Sequence, residues 1–77
     1  MKYYFLKIGS RLLLWRYTPQ GIAERIADDG KRWIESPSAL SHISGMGDGD
    51  AEEITPEQAR RVYSQLFPDG NPKEAIP

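Results

Sequence analysis

Two runs near the start of the chain are dense in aromatic and other apolar residues. They are 2–8, Lys-Tyr-Tyr-Phe-Leu-Lys-Ile, and 11–17, Arg-Leu-Leu-Leu-Trp-Arg-Tyr. Composition of this kind suits strands. Gly9-Ser10 between them is a two-residue loop of the Gly-X type, which favours a II′ hairpin turn. That turn sets Ile8 opposite Arg11, Leu6 opposite Leu13 and Tyr4 opposite Trp15 on one face. On the other face Phe5 opposes Leu14, Lys7 opposes Leu12 and Tyr3 opposes Arg16. The first face has uncharged interior pairs and is the better core candidate. The second is mixed and is expected to lie outward. A slip of one residue would exchange the two faces.

Thr18-Pro19-Gln20-Gly21 is a turn signal. Residues 22–35 fit two readings. Ile22 and Ile26 stand four apart, as on a helix, but Gly21 and Gly30 would interrupt its ends. The favoured alternative is a second hairpin, Ile22–Ala27 and Lys31–Glu35 around Asp28-Asp29-Gly30, because Asp-Gly between short apolar-bearing runs marks such turns. Ser36-Pro37 then reads as a cap and first residue of a short helix to about Ser44, burying Leu40 and Ile43 and ended by Gly45. Met46 to Glu53 is a Gly/Asp loop without periodicity.

Thr55-Pro56-Glu57-Gln58 is the sharpest local signal. Thr55 caps, Pro56 opens the helix and Gln58 completes a capping box. Ile54 and Ala59 occupy the positions of a hydrophobic staple. Ala59, Val62, Tyr63 and Leu66 follow helical spacing and form one apolar stripe. Glu52, Glu53 and Glu57 lie near the positive end of its dipole. Phe67-Pro68-Asp69-Gly70 stops the helix, and Tyr63 and Phe67 are expected to meet Trp15 or Trp33. The expected fold is α+β: an antiparallel meander of about four strands with the C-terminal helix packed on one face. Residues 1–67 form the domain, and 68–77 form a flexible tail.

Composition narrows the chemistry. The chain has 77 residues, no cysteine and one histidine. That is one small domain with a thin core. It has no disulfide and no thiolate for metal or catalysis. A cytoplasmic setting is the default, and no apolar run is long enough to span a bilayer. The net charge of −1 conceals a segregation. Residues 1–34 carry seven basic groups against three acidic, and 35–54 carry five acidic groups and no Lys or Arg. The two segments either neutralise each other within the fold or present two patches to partners.

No constellation satisfies a catalytic or cofactor-binding template, so no enzyme activity, cofactor or metal is expected. Ser38 stands four residues before His42, but 77 residues offer little room for the acid, oxyanion hole and pocket of a triad. Asp48-Gly49-Asp50-Ala51-Glu52 begins like a calcium loop, yet the sixth and twelfth positions are Glu53 and Ala59 instead of Gly and Glu. Gly45-Met46-Gly47-Asp48-Gly49 lacks the Lys-Ser/Thr of a phosphate loop.

Binding is left as the main class of function. The leading expectation is a non-enzymatic accessory or regulatory module acting through protein–protein contact, with an unidentified partner or as a homodimer, and without a membrane. Phe5, Leu12, Leu14 and Arg16 on the outer sheet face would bind. Asp48, Asp50, Glu52 and Glu53 would add an acidic determinant. One alternative is a weak single-stranded nucleic-acid binder using Tyr3, Lys7, Arg11 and Arg16, since aromatic and basic groups interleaved on a sheet can stack bases and neutralise phosphates. Another is a phage-encoded inhibitor presenting its acidic loop to a host protein.

Leu14-Trp15-Arg16, Asp29-Gly30-Lys31-Arg32-Trp33 and Asp50-Ala51-Glu52-Glu53-Ile54-Thr55 together resemble small uncharacterised proteins of high-GC Gram-positive bacteria and their phages. The resemblance spans residues 2–66. It implies a bacterial or phage cytoplasmic accessory protein and carries no activity.

Thr55→Ala removes the cap and is expected to cost about 1 kcal/mol. An unchanged thermal melt would refute the capping assignment.

Overall fold

The computed structural model describes residues 1–43 and 50–77. The chain forms strands β1 (Lys2–Ile8), β2 (Arg11–Tyr17), β3 (Ala23–Ile26) and β4 (Trp33–Glu35), followed by a short 3₁₀ helix (Pro37–Ser41). Strand β5 (Glu52–Ile54) and helices α1 (Pro56–Leu66) and α2 (Pro72–Ala75) complete it. The sheet is antiparallel, in the order β4-β3-β2-β1-β5. The α+β class therefore holds, with a fifth strand added beside β1.

The first hairpin has the register its turn dictates, from Ile8↔Arg11 to Lys2↔Tyr17. Gly9 has φ +61° and Ser10 is not left-handed, as a II′ turn requires. Residues 22–35 form the hairpin, not the helix, although its strands are shorter than the sequence suggests. Its turn is fixed twice. Lys31 N–H donates to Asp29 Oδ1 at 2.8 Å, and this bond holds the Asp29 carboxyl below its ordinary value of 3.8. Gly30 has φ +70°, and its carbonyl accepts the Tyr63 hydroxyl at 2.5 Å. A Cβ at Gly30 would stand 2.9 Å from the Phe67 ring, so the turn seats against the end of α1 only with glycine there.

The helix lies on the opposite sheet face from the one expected. Tyr3, Leu14 and Ile26 are buried with Ala59 and Tyr63, and Trp33, Ile54, Val62, Leu66 and Phe67 pack around them. Leu14 is only 2% exposed, so it is a core residue and not part of an outer patch. The charges that made this face look external satisfy each other. Arg16 Nε donates to Glu24 Oε1 at 2.6 Å, and its guanidinium lies 4.6 Å from the centre of the Trp33 ring. The second core occupies the other face. Trp15, Ala23, Ala39 and Ile43 are buried there, with Tyr4, Leu6, Leu13, Tyr17 and Ala51 against them. Trp33 thus shares the core of Tyr63 and Phe67, while Trp15 does not.

Three further expectations are corrected. The helix after Ser36 is one 3₁₀ segment. It buries Ala39, leaves Leu40 46% exposed, and Ile43 is buried just beyond it. Ser36 makes no side-chain cap bond there. The Gly45 stop lies outside the described residues. Glu52–Ile54 pairs with β1 instead of extending the loop. Residues 68–77 are not a loose tail. Asn71 caps α2, Trp33 Nε1–H donates to the Ala75 carbonyl at 3.0 Å, and Ile76 has 0% exposure. The capping box at Thr55 and Gln58 forms with both of its bonds.

Ile76→Ala is expected to cost about 2–4 kcal/mol, since it empties a filled core position. Equilibrium denaturation with no shift in midpoint would contradict the packing of the C-terminus.

Candidate functional site

The first hairpin outreaches its neighbours. β2 has seven residues, but its ladder with β3 stops at Trp15↔Arg25. The ladder of β1 with β5 covers only Tyr3 to Phe5. The hairpin end therefore projects past both. Ile8 is 56% exposed there, Phe5 and Leu12 are half-buried, and Lys7 and Arg11 face solvent. No carboxylate lies within ion-pair distance of Lys7 or Arg11 among the described residues.

Beside this end, the open side of β2 forms one wall of a groove of about 380 Å³. Its other wall is the end of β3 with the β3–β4 turn, Leu66 at the end of α1 and Phe67 just after it. The alternation of strand side chains places Leu12 and Leu14 toward α1, and Arg11 and Leu13 toward the opposite face. Arg25, paired with Trp15, shares the face of Arg11. Leu12–Leu14, Ile26, Leu66 and Phe67 give the groove its apolar part, and Arg11 and Arg25 supply a basic rim. Asp28 stands on that rim with an Oδ1 3.8 Å from Arg25.

The binding residues expected from sequence are divided by the fold. Phe5 and Leu12 remain accessible in part, Leu14 is buried, and Arg16 is engaged by Glu24 and Trp33. The nucleic-acid set is divided too. Tyr3 is buried beneath α1, leaving Lys7 and Arg11 in solvent with only the half-buried Phe5 as an aromatic from that face. The sheet face expected to stack bases is therefore the helix-bearing one. Of the acidic determinant, Asp50, Glu52 and Glu53 are exposed, and Asp48 lies outside the described residues. Glu52 and Glu53 sit on an edge strand, where charge discourages unwanted strand pairing. The basic and acidic segments adjoin through β1 and β5, yet no described ion pair joins those strands.

His42 has a structural setting. Its ring stacks on Trp15 at 5.3 Å, and Nδ1 lies 3.6 Å from Asp50 Oδ2. Its carbonyl accepts from Ala51 N–H at 3.0 Å. Ser38 Oγ meets Ser36 Oγ at 3.4 Å, so it forms no dyad with His42. Among the described residues no three His, Cys, Asp or Glu side chains gather as a metal site. The Gly45–Gly49 run and half of the calcium-like stretch lie outside them. A second concavity of about 520 Å³ lies between Met1, Tyr4, Tyr17, Leu40 and Ile43 on the 3₁₀-helix side. No helix among the described residues is long and apolar enough to cross a membrane.

Comparison with family models, curated proteins and solved structures finds no match to any of them. The geometry of the chain itself is the basis for assigning a role. Sequence reasoning missed Arg25, Leu66 and Phe67 as site residues. The usable signal was a length mismatch: a seven-residue strand beside an apolar-bearing run that ends at an Asp-Asp-Gly turn cannot be covered along its whole edge.

Glu24→Ala leaves the Arg16 guanidinium unpaired with only 21% of its side chain exposed. The expected loss is about 1–2 kcal/mol. A stability equal to wild type in urea unfolding would show that Arg16 finds water or another partner at no cost.

Proposed function

We propose that this chain is a non-enzymatic accessory or regulatory module that works by binding another protein. One observation carries the reading: the end of the β1–β2 hairpin projects past its strand neighbours with Ile8 exposed and Phe5 and Leu12 half-buried. Both faces of the sheet elsewhere have their own covering layer. The apolar surface left at this end gains free energy when a partner removes it from water. Lys7 and Arg11 beside it, which have no ion-pair partner among the described residues, supply orientation and selectivity.

The cytoplasmic setting expected of a chain without cysteine belongs to this proposal, as does the resemblance to small bacterial and phage proteins. Self-association through the same end is the homodimeric form of the reading. Nucleic-acid binding is less favoured, because Tyr3 and Arg16 are committed to the helix-side core.

The test compares wild type with the Phe5→Ser, Leu12→Ser double variant as bait in a quantitative capture, with sedimentation of both proteins alone. The expected result is a protein, or a second copy of the chain, retained by wild type and depleted at least about tenfold by the variant, or about 1.4 kcal/mol. Equal melting temperatures would show that the loss is not unfolding. Identical capture and identical sedimentation by the two proteins would refute the reading.

A further inference from the structure

The open edge of β2 is a template for one more strand. In a two-residue hairpin the flanking pair is hydrogen-bonded, so bonded pairs recur at Arg11, Leu13 and Trp15. The N–H and C=O of Leu12 consequently point away from β1. They point toward the side where β3 has ended, because the β2–β3 ladder covers only Trp15 to Tyr17. A strand edge with unpaired backbone groups recruits an extended segment. The groove described above lies along this edge and mixes apolar side chains, Leu12, Leu66 and Phe67 among them, with Arg11, Arg25 and Asp28.

The two sides of the added strand would meet different surroundings. A side chain level with Leu12 would face Ile26, Leu66 and Phe67 by the end of α1. Side chains level with Arg11 and Leu13 would face the other way, between the guanidinium groups of Arg11 and Arg25. Arg11 has no described carboxylate partner, and Arg25 has only the fully exposed Asp28 at 3.8 Å. The rim is therefore net positive. We infer that this groove takes an extended segment of a partner protein in which apolar residues alternate with acidic ones, bound by strand addition to β2. The inference rests on the protein-binding reading and assigns it a place and a ligand chemistry. The stretch is short: β3 reaches Ile26, level with Leu14, so Leu12 alone offers both backbone groups. Its bonds align the segment, contact with Leu66 and Phe67 adds affinity, and the two arginines supply selectivity.

Because the natural segment is unidentified, the probe is a blocked heptapeptide of alternating glutamate and valine, titrated into the ¹⁵N-labelled full chain and followed by amide NMR signals. Its controls are the lysine–valine counterpart and a block isomer with the valines together. The expected result is saturable movement of the Leu12, Leu13, Leu14 and Ala27 signals below about 1 mM peptide, with neither control producing it. Arg11→Glu combined with Arg25→Glu should weaken the acidic peptide at least about tenfold and allow the lysine–valine peptide to bind instead. That exchange of specificity cannot arise from unfolding. Leu12→Pro, which removes the outward N–H while sparing the bonds to β1, should also abolish binding. The inference is overturned if the signals stay fixed, if they move instead at the Tyr4, Tyr17 and Leu40 cleft, or if both charged peptides bind wild type equally. If it fails while capture still depends on Phe5 and Leu12, the protein-binding reading survives and only the strand-addition mode is lost. If capture also fails, both are lost.

Discussion

The register of β1 against β2 is the constraint on which every layer depends. It puts Tyr3 and Leu14 on one face and Tyr4 and Trp15 on the other. Each set then finds its own cover, α1 and the C-terminus for the first, the 3₁₀ segment for the second. A slip of one residue would put Leu14 on the face opposite Tyr3 and out from under Ala59 and Tyr63. A domain of this size buries too little surface to survive the loss of either layer. The Gly9-Ser10 turn that sets the register thus has consequences far from itself. It decides which residues are core and which edge groups of β2 are left over.

Some of this was legible in local chemistry. The first hairpin was readable because a Gly-X turn fixes register, and α1 was readable because Thr55, Pro56 and Gln58 each perform a distinct capping task. The choice of helix-bearing face was not readable. It turns on Arg16 meeting Glu24, eight residues away across another turn, and no periodicity announces that pairing. The C-terminal packing escaped for a related reason. Ile76 is a lone apolar residue among prolines and charges, yet the cavity between α1 and Trp33 needs only that one side chain and α2 to close it. β5 was hidden because two of its three residues are glutamates, a composition suited to an edge and not to a buried strand.

The candidate site was half legible. Phe5 and Leu12 were identifiable as apolar residues near the turn, but Leu14 two residues on is buried, because the helix ends its cover between them. The groove depends on a difference in strand length that becomes visible only when the strands are laid side by side. Charge acquired a different meaning in the fold. The basic and acidic segments are neighbours through β1 and β5, but the described ion pairs are elsewhere, leaving Lys7 and Arg11 at the hairpin end and Glu52 and Glu53 on the outer edge. A total near zero therefore coexists with a basic rim on one groove.

The groove depends on an unpaired edge of β2 at Leu12, inside the sheet and past the end of β3. Native-state hydrogen exchange of the free protein reads that edge directly. The Leu13 amide, bonded to β1, should be protected, and the adjacent Leu12 amide should exchange far faster. Equal protection of Leu12 and Leu13 would mean that the edge is already paired, and that the account of this groove is wrong.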